Sequence, residues 1–316
     1  MGKVWEKIMG AKMHDKAAEL IAIISEKDLF QAKALARLAE NLSQDEKEGL
    51  SALISFYEKT GDSVAYLAEC YLWLIQSFNE EQYYFVENGR YRYSSSEETN
   101  AFFYQNPTLM ERYMKGLAIS QYLLEQHRQC RKWFCDRLSC LNAGGNWLEV
   151  GIGHGEYFTL ALQYTNYKHY LGIDISPTSV RLTQEMVQHR VHANSKSVEI
   201  REQDFFAHKK GGGYDACVMG EILEHVENPM AFLAKVHEIT HEKSFIYVTT
   251  VINAPAIDHI YLFRNVEEIE ELYQEAGFEI CEKGLFPSHG YTVEKALKRK
   301  AAIITAHVLK KTVADQ

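Results

Sequence analysis

Trp147-Leu148-Glu149-Val150-Gly151-Ile152-Gly153-His154-Gly155, followed at once by Glu156 and a helical pattern, is the stretch that decides the fold. Its first half is a short apolar run of the kind carried by a strand buried on both faces, and its second half is a glycine-rich turn. Glycines at 151, 153 and 155 let the backbone approach a ligand closely at the carboxyl end of that strand. Taken alone, the triplet could serve no more than a tight turn.

Outward from this turn, short apolar runs alternate with helical periodicities, the mark of a parallel sheet with crossover helices on its faces. Strands are expected at 146–150, 169–174, 198–202, 214–219, 244–250, 277–283 and 300–309, with helices near 156–164, 177–190, 228–239 and 266–275. The stretch from Pro287 to about Lys298 is too short for a crossover and a return, so the last two strands should form an antiparallel hairpin. The second strand ends in Gly172-Ile173-Asp174-Ile175-Ser176, which places a carboxylate where it can accept both hydroxyl protons of a ribose. After the third strand, Gln203-Asp204-Phe205 offers an amide or acid for an adenine amino group and a ring for its face. A dinucleotide fingerprint would need G-x-G-x-x-G, whereas these glycines alternate with single residues behind the acidic Glu149.

The pattern E-x-G-x-G-x-G, the later G-x-D-x-S, the Asp-Phe pair and Tyr214-Asp-Ala-Cys-Val-Met-Gly-Glu221-Ile-Leu-Glu224-His225-Val226 follow in order through the second half of the chain. Together they resemble the class I S-adenosylmethionine-dependent methyltransferases. The resemblance implies an α/β fold: a seven-stranded Rossmann-like methyltransferase sheet with its last strand antiparallel, occupying 143–316. It also implies S-adenosylmethionine as cofactor, with Glu149 on the methionine amino side, Asp174 on the ribose, and Gly151, Gly153 and Gly155 giving way for it. Ser176, Asp204, Phe205 and Glu221 complete the expected cofactor contacts. His154 departs from the small residue commoner at that place and has no assigned role.

If a helical turn follows the fourth strand, Glu221, Glu224 and His225 point one way at i, i+3 and i+4, a spacing that suits metal ligation. After the fifth strand, Asp258-His259-Ile260-Tyr261-Leu262-Phe263 brings another imidazole to the same rim. An E-x-x-E-H motif with a later histidine resembles two metal-using methyltransferase groups: those that modify the 2′-hydroxyl at the 3′ end of small RNAs, and the O-methyltransferases of ubiquinone biosynthesis. That resemblance makes Glu221, Glu224, His225 and His259 candidate ligands of a divalent metal, and mixed oxygen and nitrogen ligation suits Mg²⁺, Mn²⁺ or Fe²⁺ alike. The rival reading is a metal-free site in which His225 or His259 is the general base and the glutamates are pocket walls.

Residues 1–142 read as a mainly helical domain. Leu35, Leu38, Ala39 and Leu42, then Leu50, Leu53, Ile54 and Tyr57, keep helical spacing, and Ser43 with Glu46 is a capping box. Asn88-Gly89, between the aromatic segments of 83–93, reads as the type I′ turn of a β-hairpin. Such a unit loosely resembles the lid and dimerisation domains of small-molecule O-methyltransferases, which implies a possible homodimer. Its aromatic residues Phe102, Phe103, Tyr104, Tyr113, Tyr122 and Trp133 are read first as core, with some able to roof the site, and His289 and Tyr291 are secondary site candidates.

A net charge of -9 argues against a protein that lives on phosphate backbones. Six cysteines without a C-x-x-C pair are expected as reduced, packed thiols of a cytoplasmic protein. The N-terminus lacks an apolar core for a signal, and no run reaches membrane-spanning length. The expected activity is methylation of an oxygen, or less readily a carbon, on a small metabolite that is free or tethered to a carrier protein. An RNA 2′-O-methyltransferase is the alternative, for which Lys295, Lys298, Arg299 and Lys300 make too short a basic patch, and a degenerate cofactor-binding scaffold is a third reading.

Overall fold

The computed structural model describes residues 16–141, 144–191, 196–209 and 213–312. The N-terminal stretch read for targeting signals, and the expected domain junction at 142/143, lie outside them. Helices α1 (Lys16–Lys27), α2 (Leu29–Asn41), α3 (Gln44–Lys59) and α4 (Val64–Asn88) open the chain. A single turn α5 (Ser96–Thr99) continues as a π turn (Asn100–Tyr104), and α6 (Pro107–Leu123) and α7 (Glu125–Leu138) follow. Ser43 and Glu46 form the reciprocal capping box that starts α3.

The hairpin expected at 83–93 is not there. Residues 83–88 are the last turns of α4, and Gly89 (φ 68°) is its left-handed cap, donating its N–H to the Phe85 carbonyl at 2.8 Å. An Asn-Gly pair suits a type I′ turn and a helix stop equally, because both need positive φ. Helical periodicity decides: Leu67, Tyr71, Leu74 and Phe85 share the buried face of α4, Tyr83 is 74% exposed, and Phe85 packs on Tyr91 across the cap.

The second half is the expected sheet. Strands β1 (Asn146–Val150), β2 (His169–Asp174), β3 (Ser197–Glu202), β4 (Tyr214–Gly220), β5 (Thr240–Ile252), β6 (Phe278–Pro287) and β7 (Ile303–Lys311) lie in the order β3-β2-β1-β4-β5-β7-β6. The first five are parallel, and β7 inserts antiparallel between β5 and β6. Crossovers are α8 (Glu156–Tyr164), α9 (Pro177–Arg190), α10 (Pro229–Ile239) and α11 (Val266–Glu275). A short α12 (Val293–Arg299), not foreseen in the sequence, fills the connection to β7.

Alternation along β1 sends Leu148 and Val150 into one core and Trp147 into the other. The second core takes in Cys130, Phe134 and Leu138, so α7 covers the sheet. The helical core around Leu20, Leu50 and Leu67 reaches Met186 of α9, which binds the two halves into one body. Among the described residues, no helix is long and apolar enough to cross a membrane. Cys70, Cys130 and Cys217 are buried free thiols, whereas Cys140 and Cys281 are exposed.

Candidate active site

Strand order reverses between β1 and β4, and a crevice at the carboxyl ends of strands flanking such a reversal is where open α/β sheets hold ligands. A cavity of about 1610 Å³ opens there. That exceeds the roughly 300–1,000 Å³ of a site for one small ligand and leaves room for a cofactor and an acceptor together.

Gly151, Gly153 and Gly155 all have positive φ (68°, 49° and 80°), which is why the turn needs glycine. A Cβ on Gly151 would sit 2.0 Å from the Ile222 side chain, and one on Gly155 would sit 2.8 Å from Thr183. Asp174 is fixed at the tip of β2: one carboxylate oxygen accepts from Gly153 N–H (3.0 Å) and the other from Ser176 N–H (2.8 Å). Burial pushes its pKa up, and the hydrogen bonds from Ser176 and Gly153 oppose that rise by favouring the carboxylate. Glu149 is buried at the end of β1, where burial raises its pKa well above the usual range and Oε2 has no partner.

The other expected contacts are distributed differently. Ser176 is fully buried and its hydroxyl caps α9 by accepting from Ser179 N–H, so it is spent on the helix. Asp204 and Phe205 both line the cavity; Asp204 accepts from Phe206 N–H, and the largely buried Phe205 ring packs against Phe232 at 4.7 Å. The exposed apolar side chains in the cleft are Ile175 (53%) and Phe206 (49%), each one residue beyond the one the sequence pointed to. His154 lines the same cavity with its Nδ1 accepting from Glu156 N–H, and burial lowers its pKa to about 4.

Past β4, the expected helical turn is replaced by a sharp reversal. Glu221 has φ 53°, held by its N–H donating to the Thr249 hydroxyl (2.9 Å) and carbonyl (3.1 Å), and only Leu223–His225 form a 3-10 turn. The i, i+3, i+4 geometry therefore does not apply to Glu221. Glu224, His225 and His259 do come together, each offering one ligand atom, with those atoms within 4.8 Å of one another. Glu221 lines the cavity outside that group.

The surroundings prepare the three side chains. Thr250 donates its hydroxyl to Glu224 Oε2 at 2.7 Å, and Glu224 Oε1 is buried without a partner. His259 Nδ1 lies 2.6 Å from the Ala254 carbonyl and His225 Nδ1 lies 3.1 Å from the Asp258 carbonyl, contacts that leave Nε2 of each ring free. Burial, and then the mutual repulsion of the two carboxylates, raises the pKa of Glu221, and burial likewise raises that of Glu224. His225 is pushed up because Asp258 and Glu224 outweigh its burial, whereas burial and His225 lower His259 to about 4. One buried carboxylate with an orphaned oxygen beside two imidazoles makes a donor set that fits a divalent cation.

The helical half reaches into this site. Tyr104, at the end of the π turn, donates to Asp258 at 3.1 Å and lies 3.3 Å from His225 Nδ1, and Tyr113 of α6 donates to the other Asp258 oxygen at 3.2 Å. Both tyrosines line the cavity with Met110, Met114 and Leu117, so part of the aromatic load does roof it. In the sequence Asp258 stands out only as the neighbour of His259, and Tyr104 and Tyr113 are the members of an aromatic set, expected first as core, that face the site. His289 and Tyr291 also line the cavity.

A family profile described as "Methyltransferase domain" matches residues 122–283. No curated protein matches the chain significantly. Among solved structures, magnesium protoporphyrin IX methyltransferase (ChlM) from Synechocystis PCC 6803 with bound S-adenosylmethionine shares 19% identity and a TM-score of 0.50, over 67% of this chain and 96% of that one. The N-methyltransferase NodS from Bradyrhizobium japonicum, with S-adenosylhomocysteine, gives 13% and 0.47 over 64% and 96%. Cyclopropane synthase MmaA2 from Mycobacterium tuberculosis gives 12% and 0.46 over 58% and 85%.

Proposed function

The chain belongs to the methyltransferase-domain family, and we propose that this enzyme moves the methyl group of S-adenosylmethionine onto an oxygen of a small acceptor, with a divalent cation held by Glu224, His225 and His259. The observation that carries this reading is the convergence of those three ligand atoms within 4.8 Å, with His225 and His259 lining the same cavity as Asp174 and the glycine turn and Glu224 buried beside them.

The roles follow from the geometry. Asp174 accepts the ribose hydroxyl protons, its carboxylate aimed by Gly153 and Ser176. The orphaned Glu149 Oε2 takes a donor from the methionine ammonium, and Ile175 and Phe206 wall the adenine. Methyl transfer from a sulfonium is an in-line displacement, so the acceptor oxygen must be aligned and relieved of its proton. A bound divalent ion supplies Lewis acidity that lowers the pKa of an acceptor hydroxyl. Glu221, outside the ligand group and facing the cavity, is placed to receive that proton. Chelation suits an acceptor with two adjacent oxygens, such as a catechol, a vicinal diol or a β-dicarbonyl.

The purified protein should carry or take up one divalent ion per chain by elemental analysis, and chelation should remove it together with turnover. Undiminished turnover in excess chelator would sink the metal and leave His225 as the base, oriented by Asp258 and Tyr104. Asp174→Ala should weaken S-adenosylhomocysteine binding at least about tenfold, about 1.4 kcal/mol for lost charge-assisted hydrogen bonds, as measured by calorimetry. Unchanged affinity would mean the ribose lies elsewhere.

A further inference from the structure

The cavity lining also takes in residues 288–291, Arg299, Ala301 and Ala302, between β6 and β7. This segment carries Lys295, Lys298, Arg299 and Lys300 within six residues of a chain whose net charge is -9. Among the described residues, no ion pair joins any of the four to a carboxylate, whereas some cations near the sheet are paired, as Lys283 is with Glu270 and Arg137 with Glu282. Lys295 and Arg299 stand at i, i+4 on α12, where like charges repel, yet both turn to the same ring: Lys295 Nζ is 4.0 Å and Arg299 Cζ 5.9 Å from the Tyr291 centroid. Tyr291 and Arg299 both line the cavity.

The backbone around them is held in costly conformations. His289 (φ 58°) and Lys300 (φ 51°) are left-handed without being glycine, and such residues persist where the surrounding structure over-determines them, often at ligand clamps. Gln82 of α4 donates to the Lys300 carbonyl at 3.4 Å, so the helical half leans on the same loop. The same lining includes Val251, Ala254, Ala301 and Ile304, which suit an uncharged body.

We infer that the acceptor carries an anionic group, a phosphate or a carboxylate, at the end remote from the methylated oxygen, and that Lys295 and Arg299 hold it at the face of Tyr291. An anion between the two cations offsets their repulsion and gives a partner to two side chains that, among the described residues, no carboxylate pairs. This rests on reading the cavity as the acceptor site of the proposed methyl transfer.

The test uses the full chain saturated with S-adenosylhomocysteine, titrated calorimetrically with octanol, octanoate and octyl phosphate. At least one anion should bind tenfold or more tightly than octanol, with the preference shrinking as salt rises, and the one that does so names the group. Lys295→Gln/Arg299→Gln should bring the preference below twofold, with an unchanged melting temperature, while the remote Lys27→Gln keeps it. Equal binding of all three probes, or a preference that survives in the double variant, overturns the inference. Failure to bind S-adenosylhomocysteine would strike the methyl-transfer reading instead, so the two failures are separately visible.

Discussion

Glu224→Gln should weaken Mn²⁺ binding by about 100-fold or more, about 2.7 kcal/mol, while S-adenosylhomocysteine affinity stays within about twofold. Glutamine keeps the volume of a fully buried side chain and can still accept the Thr250 hydroxyl, so what is lost is the charge on the orphaned Oε1. Two neutral imidazoles then remain as ligands, and no other carboxylate belongs to the group among the described residues. Glu221→Gln provides the contrast: its carboxylate lies outside that group, so metal affinity should move by no more than about threefold. Thr250→Val removes only the hydrogen bond behind Glu224, for which about a tenfold loss is expected. Mn²⁺ affinity unaffected by Glu224→Gln in calorimetry would refute the ligand assignment.

The parts of this site that the sequence displayed are those fixed by local physics. The strand, glycine turn and helix around Glu149 could be read because positive φ demands glycine and a buried parallel strand demands an apolar run. Helix α8 starts where the glycine turn ends, and α9 and α11 start at the capping residues Ser176 and Asn265. Asn88-Gly89 permits either structure because the same backbone requirement serves both, and the choice lies in the buried face of α4, where Leu74 joins the core of Phe103 and Met110 and Phe85 packs on Tyr91. Glu221 was misplaced for a related reason: nothing local announces a non-glycine residue with φ 53°, and it is Thr249 on the adjacent strand that stabilises the turn. Tyr104 and Tyr113 lie 154 and 145 positions from Asp258, so their hydrogen bonds to it have no local signal at all. Ile175 and Phe206 differ, since each adjoins a residue that had been singled out, and only the direction of the side chain was unknown.

Glu156→Gln should lower the melting temperature by about 5 °C or more at neutral pH, the largest stability effect expected of a single polar replacement here. Glu156 is fully buried one residue past the glycine turn, where Arg131 (3.1 Å) and Arg190 pair with its two oxygens and Tyr122 donates to one of them. Burial alone would raise its pKa, but Arg190 and Arg131 outweigh that and hold it down to about 2 against an ordinary 4.5. A carboxyl depressed that far in the folded state contributes about 3 kcal/mol. The contribution is complete above pH 4.5, the value in the unfolded chain, and is lost as the pH falls through 4.5 towards about 2. Removing the carboxylate charge leaves two nearly buried guanidinium groups unopposed, a loss for which breaking a buried pair costs about 3–5 kcal/mol. The two routes agree in size. Thermal unfolding of both proteins from pH 7 down to pH 2.5 distinguishes the cause: the gap should be widest at neutral pH and narrow with acid, because protonation does to the wild type what glutamine has already done to the variant. A gap that stays constant with pH would assign the loss to packing rather than charge. Because Tyr122 and Arg131 belong to α6 and α7, and Glu156 to the first turn of α8, this pair is also what ties the helical half to the cofactor turn.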